Sequence, residues 1–320
     1  MNEYTNKFYY FCTQFLLTVN SRIFAVKNNN EIMKIIRKTA EISAEIQLLK
    51  AAGKTIGFVP TMGALHDGHK ALVKRCVAEN DVCIVSVFVN PTQFNNVADL
   101  EKYPRNLERD AEMLQNVGCK LIFSPKADEI YAANELTAQF EFDFNGLDAV
   151  MEGKFRPGHF NGVVQIVSKF FQLVQPDNAY FGEKDFQQLA IIHHMVRALN
   201  FDVNIIDCPI VREPSGLAMS SRNERLTAEQ RKNAVEISKV LFESRNFATQ
   251  MNPNELILWV VDEINKVPGL EVEYYEIVNS YTLQSVDSWS GFAVGCIAVF
   301  CGEVRLIDNV RYNFNRESII

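Results

Sequence analysis

The sequence predicts an α/β protein, a doubly wound parallel sheet followed by a smaller C-terminal α+β domain. Three observations lead there. Strand-like and helix-like segments alternate up to Ile210, the order expected of a parallel sheet with helices on both faces. One strand candidate, residues 81–89 (DVCIVSVFV), is apolar almost throughout, as suits a strand covered on both sides. Beyond Ile210 the order changes to two long helices and then three strands.

The elements follow in order. After Met33 a helix is expected, with Ile42, Ile46 and Leu49 at apolar spacing. Thr55-Ile56-Gly57-Phe58-Val59 reads as the first strand, ended by Pro60, and Ala71, Leu72, Val73, Cys76 and Val77 give helical spacing. The strand 81–89 stops at Asn90-Pro91-Thr92-Gln93-Phe94. A helix over 107–116 buries Leu107, Ala111 and Leu114 and halts at Gly118, and 120–123 is again strand. Residues 151–160 read as a loop, 163–174 as an apolar helix, 178–181 as a short strand entering Gly182-Glu183-Lys184-Asp185 and a further helix, and 203–206 as a closing strand. Residues 227–247 and 254–267 then read as helices, and 272–278, 293–300 and 304–307 as strands. The expected division is 33–210 for the ligand-binding domain and 211–320 for a lid-sized domain, hinged near Val211. There is no internal repeat.

Composition narrows the function. A hydrophobic content of 48% over 320 residues is ample for packed cores, and a net charge of −7 argues against broad binding to nucleic acid or an anionic membrane. Cys12, Cys76, Cys83, Cys119, Cys208, Cys296 and Cys301 are odd in number, scattered and free of C-x-x-C, the pattern of reduced thiols in a cytoplasmic protein. No apolar run approaches the roughly 18 residues that span a bilayer. The stretch 8–19 is broken by Cys12-Thr13-Gln14 and preceded only by Lys7, which makes a poor signal peptide. Residues 1–32 are irregular and aromatic-heavy, so they are expected to be dispensable, with Met33 as an alternative start. The competing expectation is a short added helix with Phe8, Phe11, Phe15 and Leu16 as its stripe.

The richest segment is Pro60-Thr61-Met62-Gly63-Ala64-Leu65-His66-Asp67-Gly68-His69, a glycine-punctuated turn between a strand's carboxyl end and a helix's amino end. Free backbone N–H groups and the helix dipole favour an anion in that crevice. Gly63-x4-Gly68-His69-Lys70 approaches a P-loop, but His stands where Lys belongs and no Ser or Thr follows for magnesium. No G-x-G-x-x-G follows a strand, so dinucleotide chemistry lacks its main support. A third ligand at metal-binding spacing from His66 and His69 is also missing, and no metal site is assigned. What remains is H-x-G-H, similar to the Rossmann-like nucleotidyltransferases that use it at the phosphates. Two solvent-facing loop histidines are the alternative.

Further motifs agree in order: Phe88-Val89-Asn90-Pro91-Thr92-Gln93-Phe94, Tyr103-Pro104-Arg105, Arg156-Pro157-Gly158-His159-Phe160, 180–188 (YFGEKDFQQ), 216–223 (GLAMSSRN) and 302–309 (GEVRLIDN). With the histidine turn they make the chain resemble the pantothenate synthetase (pantoate–β-alanine ligase) family from about Met33 to about Val310. Lys70-Ala71, Gln165 and Ser215 depart from the usual pattern, and Gln165 puts the fine shape of the pantoate pocket in question.

The resemblance implies that pantoate's carboxylate attacks the α-phosphorus of ATP, and that β-alanine's amine then displaces AMP from pantoyl adenylate, with Mg2+ accompanying the nucleotide. His66, His69, Lys184 and Arg222 are the implied catalytic residues. Met62, Gly63, Ala64, Leu65, Asp67, Gly68, Gly182, Glu183, Asp185, Val211, Met219, Ser220 and Ser221 complete the implied nucleotide site. Positioning and charge neutralisation suffice for both steps. Gln93 and Gln188 are the implied pantoate ligands, since a neutral amide leaves a carboxylate nucleophilic where a bidentate Arg would not. Pro60, Val163, Ile166, Val167 and Phe181 are candidate apolar walls. Asp110 and Glu108 are read as a solvated helix face rather than metal ligands. Alternatives are another nucleotidyltransferase of this fold, or a nucleotide sensor without turnover. The family also implies a homodimer.

Overall fold

The computed structural model describes residues 33–312 apart from 96, 137–139 and 290. Both expectations for residues 1–32 therefore lie outside the described residues, as does Cys12.

The larger sheet contains β1 (Lys34–Ile36), β2 (Ile56–Thr61), β3 (Val82–Val87), β4 (Leu121–Phe123), β5 (Asn178–Gly182) and β6 (Asn204–Cys208), in the order β1-β4-β3-β2-β5-β6. Every pairing in it is parallel. Its helices are α1 (Thr39–Ala51), α2 (Asp67–Glu79), the short α3 (Val97–Lys102), α4 (Leu107–Asn116), the short α5 (Ala127–Ile130) and α6 (Met151–Phe155), then α7 (His159–Val174) and α8 (Phe186–Ala198). The second sheet is antiparallel, β7 (Leu270–Asn279), β8 (Ala293–Cys301) and β9 (Val304–Tyr312), and is covered by α9 (Ala228–Phe247) and α10 (Pro253–Asn265).

Alternating residues of the central strands feed two cores, as the strand period requires. Phe58, Ile84 and Phe123 face α1, α7 and α8, where Phe170 meets Phe58 and Phe123 edge-on at 5.9 and 5.8 Å. Their neighbours Val59, Val85 and Ile122 face α2 and α4 with Val73, Cys76 and Leu114. The first core continues into the second sheet through Tyr274, Val294, Cys296 and Ala298.

Two differences from the expected elements have physical causes. Pro60 lies inside β2 instead of ending it: β2 pairs with β5 only through Gly57 and Phe58, so beyond Phe58 no ladder donor is needed on that side. β1 is too short, at three residues, to show a period, and it forms an edge against β4. The expected loop 151–160 contains α6 and the first turn of α7, and β9 runs on to Tyr312.

The strand order fixes where a ligand can sit. Successive strands step from β2 to β3 and β4 on one side, and β5 starts again on the other side of β2. The crevice beyond the carboxyl ends of β2 and β5 is therefore the topological switch point.

Candidate active site

The turn after β2 is built by hydrogen bonds that the sequence pattern does not reveal. Gly63 and Ala64 both adopt positive φ, 82° and 51°. Asp110 of α4, only 2% exposed, accepts the N–H of Leu65 at 2.8 Å and of Ala64 at 3.0 Å. The expectation of a solvated Asp110 is thus corrected: it is a buried clamp on the histidine turn, and burial raises its pKa. Glu108, two residues away, is exposed.

His66 caps α2. Its Nδ1 accepts the Gly68 N–H at 3.1 Å, while His69 Nδ1 accepts the His66 N–H at 3.3 Å. The rings lie 4.1 Å apart. Burial, then the Lys184 charge, lowers His66 to about 4, and burial with His66 and Lys184 pushes His69 well below its ordinary value. Both imidazoles are therefore neutral. With each Nδ1 committed as an acceptor, the proton sits on Nε2, and each ring has one N–H left to donate.

A cleft of about 200 Å3 opens at this point, lined by Met62, His66, Gly68 and His69 from the turn and by Gly182, Lys184, Asp185 and Gln188 from the end of β5. Val211, Met219, Ser220, Ser221 and Arg222 close its far side. The Lys184 ammonium has no ion pair or hydrogen bond among the described residues. Arg222 is shared, its guanidinium lying 3.3 Å from Asp99 of α3. Gly63, Ala64, Leu65, Asp67 and Glu183, also assigned to the nucleotide from sequence, do not line this cleft. The first three shape the turn behind it, Asp67 is exposed, and Glu183 pairs with Arg311 at 3.3 Å.

A second cleft, about 180 Å3, shares Pro60, Met62, Tyr103, His69, Asp185 and Gln188 with the first. Asn90, Gln93, Val163, Ile166, Val167, Phe88 and Phe170 supply the rest of its apolar and amide surface. None of its described lining residues is Lys or Arg. Phe181 lines the first cleft instead, and Gln165 is buried in α7 outside both linings.

The Gln93 amide has its orientation fixed. Asn90 Nδ2 donates to the Gly162 carbonyl and to Gln93 Oε1, each at 3.0 Å, while Asn90 Oδ1 accepts from Tyr131 at 2.7 Å. Gln93 Oε1 is therefore turned toward Asn90, and its NH2 group donates to Met62 Sδ, 3.2 Å away. Gly162 lets α7 approach this closely, since a Cβ there would stand 2.5 Å from the Thr92 carbonyl. Asn90 and Tyr103 line these clefts and carried no role in the sequence reading. Their motifs flagged the segments but not the contacts.

Among the described residues, no three His, Cys, Asp or Glu side chains are placed to hold a metal. None of the described helices is long and apolar enough to cross a membrane. The six described cysteines are free and buried.

A switch-point cleft with two neutral histidines at a helix amino end and an unpaired lysine defines a Rossmann-like nucleotide-binding enzyme of the H-x-G-H type. Comparison with known proteins narrows this. The family model described as Pantoate-beta-alanine ligase matches residues 34–311. A pantothenate synthetase from Bacteroides fragilis (strain YCH46) is 57% identical over 282 residues, covering 88% of this chain and 99% of the relative. The crystal structure of pantothenate synthetase from Thermus thermophilus superposes with a TM-score of 0.82 at 41% identity, over 88% of this chain and 100% of that one. A Francisella tularensis pantoate-beta-alanine ligase, complexed with beta-gamma ATP and beta-alanine, gives 0.75 at 35% identity, over 88% and 99%. The chain belongs to the pantoate–β-alanine ligase family.

Proposed function

We propose that the chain condenses pantoate with β-alanine at the cost of ATP, releasing AMP and pyrophosphate. The observation that carries this is the pair of clefts meeting at His69, one with cations and neutral donors, the other with amides and apolar walls. The first suits the triphosphate and the second pantoate, so the nucleophilic carboxylate and the α-phosphorus meet at the shared wall.

In the first step, a pantoate carboxylate oxygen forms a bond to the α-phosphorus and the bond to the bridging oxygen of pyrophosphate breaks. The Nε2–H groups of His66 and His69 and the Lys184 ammonium donate to phosphate oxygens as charge moves onto them. Neutral rings do this without giving up a proton. Arg222 divides its donors between phosphate and Asp99. Gln93 and Gln188 hold pantoate, and the cation-free surroundings leave its carboxylate electrons available. In the second step the β-alanine nitrogen, freed of a proton, attacks the acyl carbon. The acyl–oxygen bond to AMP breaks, AMP leaves with the electron pair, and nitrogen loses a further proton.

Magnesium enters as part of the nucleotide substrate, and no step here depends on a protein-held metal. The reading also includes a C-terminal lid from residue 211, a homodimer and a cytoplasmic location. AMP release from ATP, magnesium, pantoate and β-alanine, with each omitted in turn, tests it: AMP formed without pantoate would contradict the assignment.

A further inference from the structure

The turn that carries Lys184 is held from farther away than the histidine turn. Glu183, Lys184 and Asp185 join β5 to α8, and Asp185, at the helix cap, makes no capping hydrogen bond with its side chain. The junction therefore lacks the local clamp that a helix start commonly carries. The Lys184 ammonium, unpartnered among the described residues, takes its place in the nucleotide cleft from where this turn holds its backbone.

The missing clamp comes from the second sheet. Asn309 of β9, 5% exposed, donates its two Nδ2 hydrogens to the carbonyls of Glu183, at 2.8 Å, and Lys184, at 3.1 Å. An amide supplies both donors without adding charge beside the lysine. Arg311, two residues along β9 and so on the same face, pairs with the Glu183 carboxylate at 3.3 Å. From the other side, the Glu183 N–H donates to the Cys208 carbonyl of β6 at 2.8 Å.

Asn309 is itself fixed. Its backbone N–H donates to Asp308 Oδ1 at 2.8 Å, and Asp308, 4% exposed, accepts both Arg212 Nη groups at 2.6 and 2.8 Å. Arg212 belongs to a small antiparallel turn in which it bridges Ala218, and the Met219 N–H donates to the Val211 carbonyl at 3.0 Å. Ser220, Ser221 and Arg222 of the nucleotide cleft follow directly. One dipeptide of β9 thus joins the two cationic walls of that cleft, the Lys184 turn and the segment that leads to Arg222.

We propose that Asn309 is a positioning residue, which holds the Lys184 turn so that the ammonium stands at the phosphates of the nucleotide. The inference rests on the ligase reading for what Lys184 does there. Lys184 and Asn309 both line a narrow cleft of about 30 Å3, from which water can meet the two carbonyls if the amide is removed. The fold then survives while the lysine loses its fixed place.

The test uses the full chain, with pantoate-dependent exchange of pyrophosphate into ATP as the first-step assay. Asn309→Ala should lower the kcat of exchange about 10- to 100-fold, the loss expected when a catalytic group is displaced by about an ångström. The KM for ATP should change by less, and the melting temperature should fall by about 5 °C or less. A double-mutant cycle separates positioning from packing. In Lys184→Ala, adding Asn309→Ala should cost less than about threefold more, because the amide acts through a lysine that is gone. Asn309→Asp fills the same space but turns an acceptor toward the carbonyls, so it should lose at least as much as Asn309→Ala. Wild-type exchange in either Asn309 variant overturns the proposal, and so does an equal fold-loss on the wild-type and Lys184→Ala backgrounds. Loss of cooperative unfolding in both variants overturns it as well, since Asn309 would then be a packing residue. Absence of pantoate-dependent exchange in the wild type would count against the ligase reading itself. The same cycle read on ATP affinity by calorimetry then decides: a loss confined to the chain that keeps Lys184 supports positioning, and an equal loss on both backgrounds overturns it.

Discussion

Replacing Asp110 with Ala tests how the histidine turn is held. The substitution removes the acceptor for two backbone N–H groups, those of Leu65 and Ala64, in a turn where Ala64 sits at φ 51°. Each orphaned donor costs about 1–3 kcal/mol, so the sum is about 2–6 kcal/mol. Water entering from the adjoining cleft can satisfy part of that demand, which brings the expectation to about 2–3 kcal/mol. The left-handed conformation of Ala64, itself worth on the order of 1 kcal/mol of strain, then loses its restraint. His66 and His69 would no longer be held at the wall of the first cleft. Urea denaturation followed by circular dichroism measures the first effect, and pyrophosphate exchange the second. Exposed Glu108→Ala is the control, expected within about 0.5 kcal/mol of wild type. Wild-type stability together with wild-type exchange in Asp110→Ala would refute the clamp.

Four other outcomes follow from the same geometry. His69→Ala and Lys184→Ala should each lower kcat on the order of 100-fold or more with a smaller change in ATP affinity, measured by steady-state kinetics and calorimetry. Gln93→Ala and Gln188→Ala should weaken pantoate use by about 1.5–3 kcal/mol each and leave ATP binding near normal, readable in pantoate saturation curves. Because His66 stays neutral down to about 4, the pH profile of exchange should show no histidine inflection near 6.5. Glu152 falls from 4.5 to about 2 in the fold, as Arg305 and its other hydrogen bonds outweigh the burial that opposes ionisation. Its stabilisation, about 3 kcal/mol, is present above pH 4.5 and lost as pH falls toward 2, so acid denaturation of Glu152→Gln should be flatter over that window.

Much of this was legible in the sequence because the signals were periodic or chemically specific. The continuous apolar β3, the 3.6-residue spacing of α4 and the H-x-G-H turn each placed an element or a turn at nearly its observed position. β1 was invisible because three residues carry no period, and Pro60 misled because its missing donor matters only where a neighbouring strand asks for one. Asp110 looked solvated because its helix is strongly charged, and its partners lie 45 and 46 residues away in the chain. Arg222 read as a free phosphate ligand, since nothing local indicated Asp99. Long-range polar contacts of this kind leave no mark in a single sequence, whereas strand period and turn chemistry do.

The fate of pantoate's own oxygen tests the two-step chemistry most directly. With both carboxylate oxygens of pantoate labelled with 18O, attack on the α-phosphorus followed by acyl–oxygen cleavage must leave one labelled oxygen in AMP and one in the new amide. Mass spectrometry of AMP from the complete reaction should therefore show a single 18O per molecule. Unlabelled AMP, with the label instead in pyrophosphate or inorganic phosphate, would contradict an acyl adenylate formed where the two clefts meet at His69.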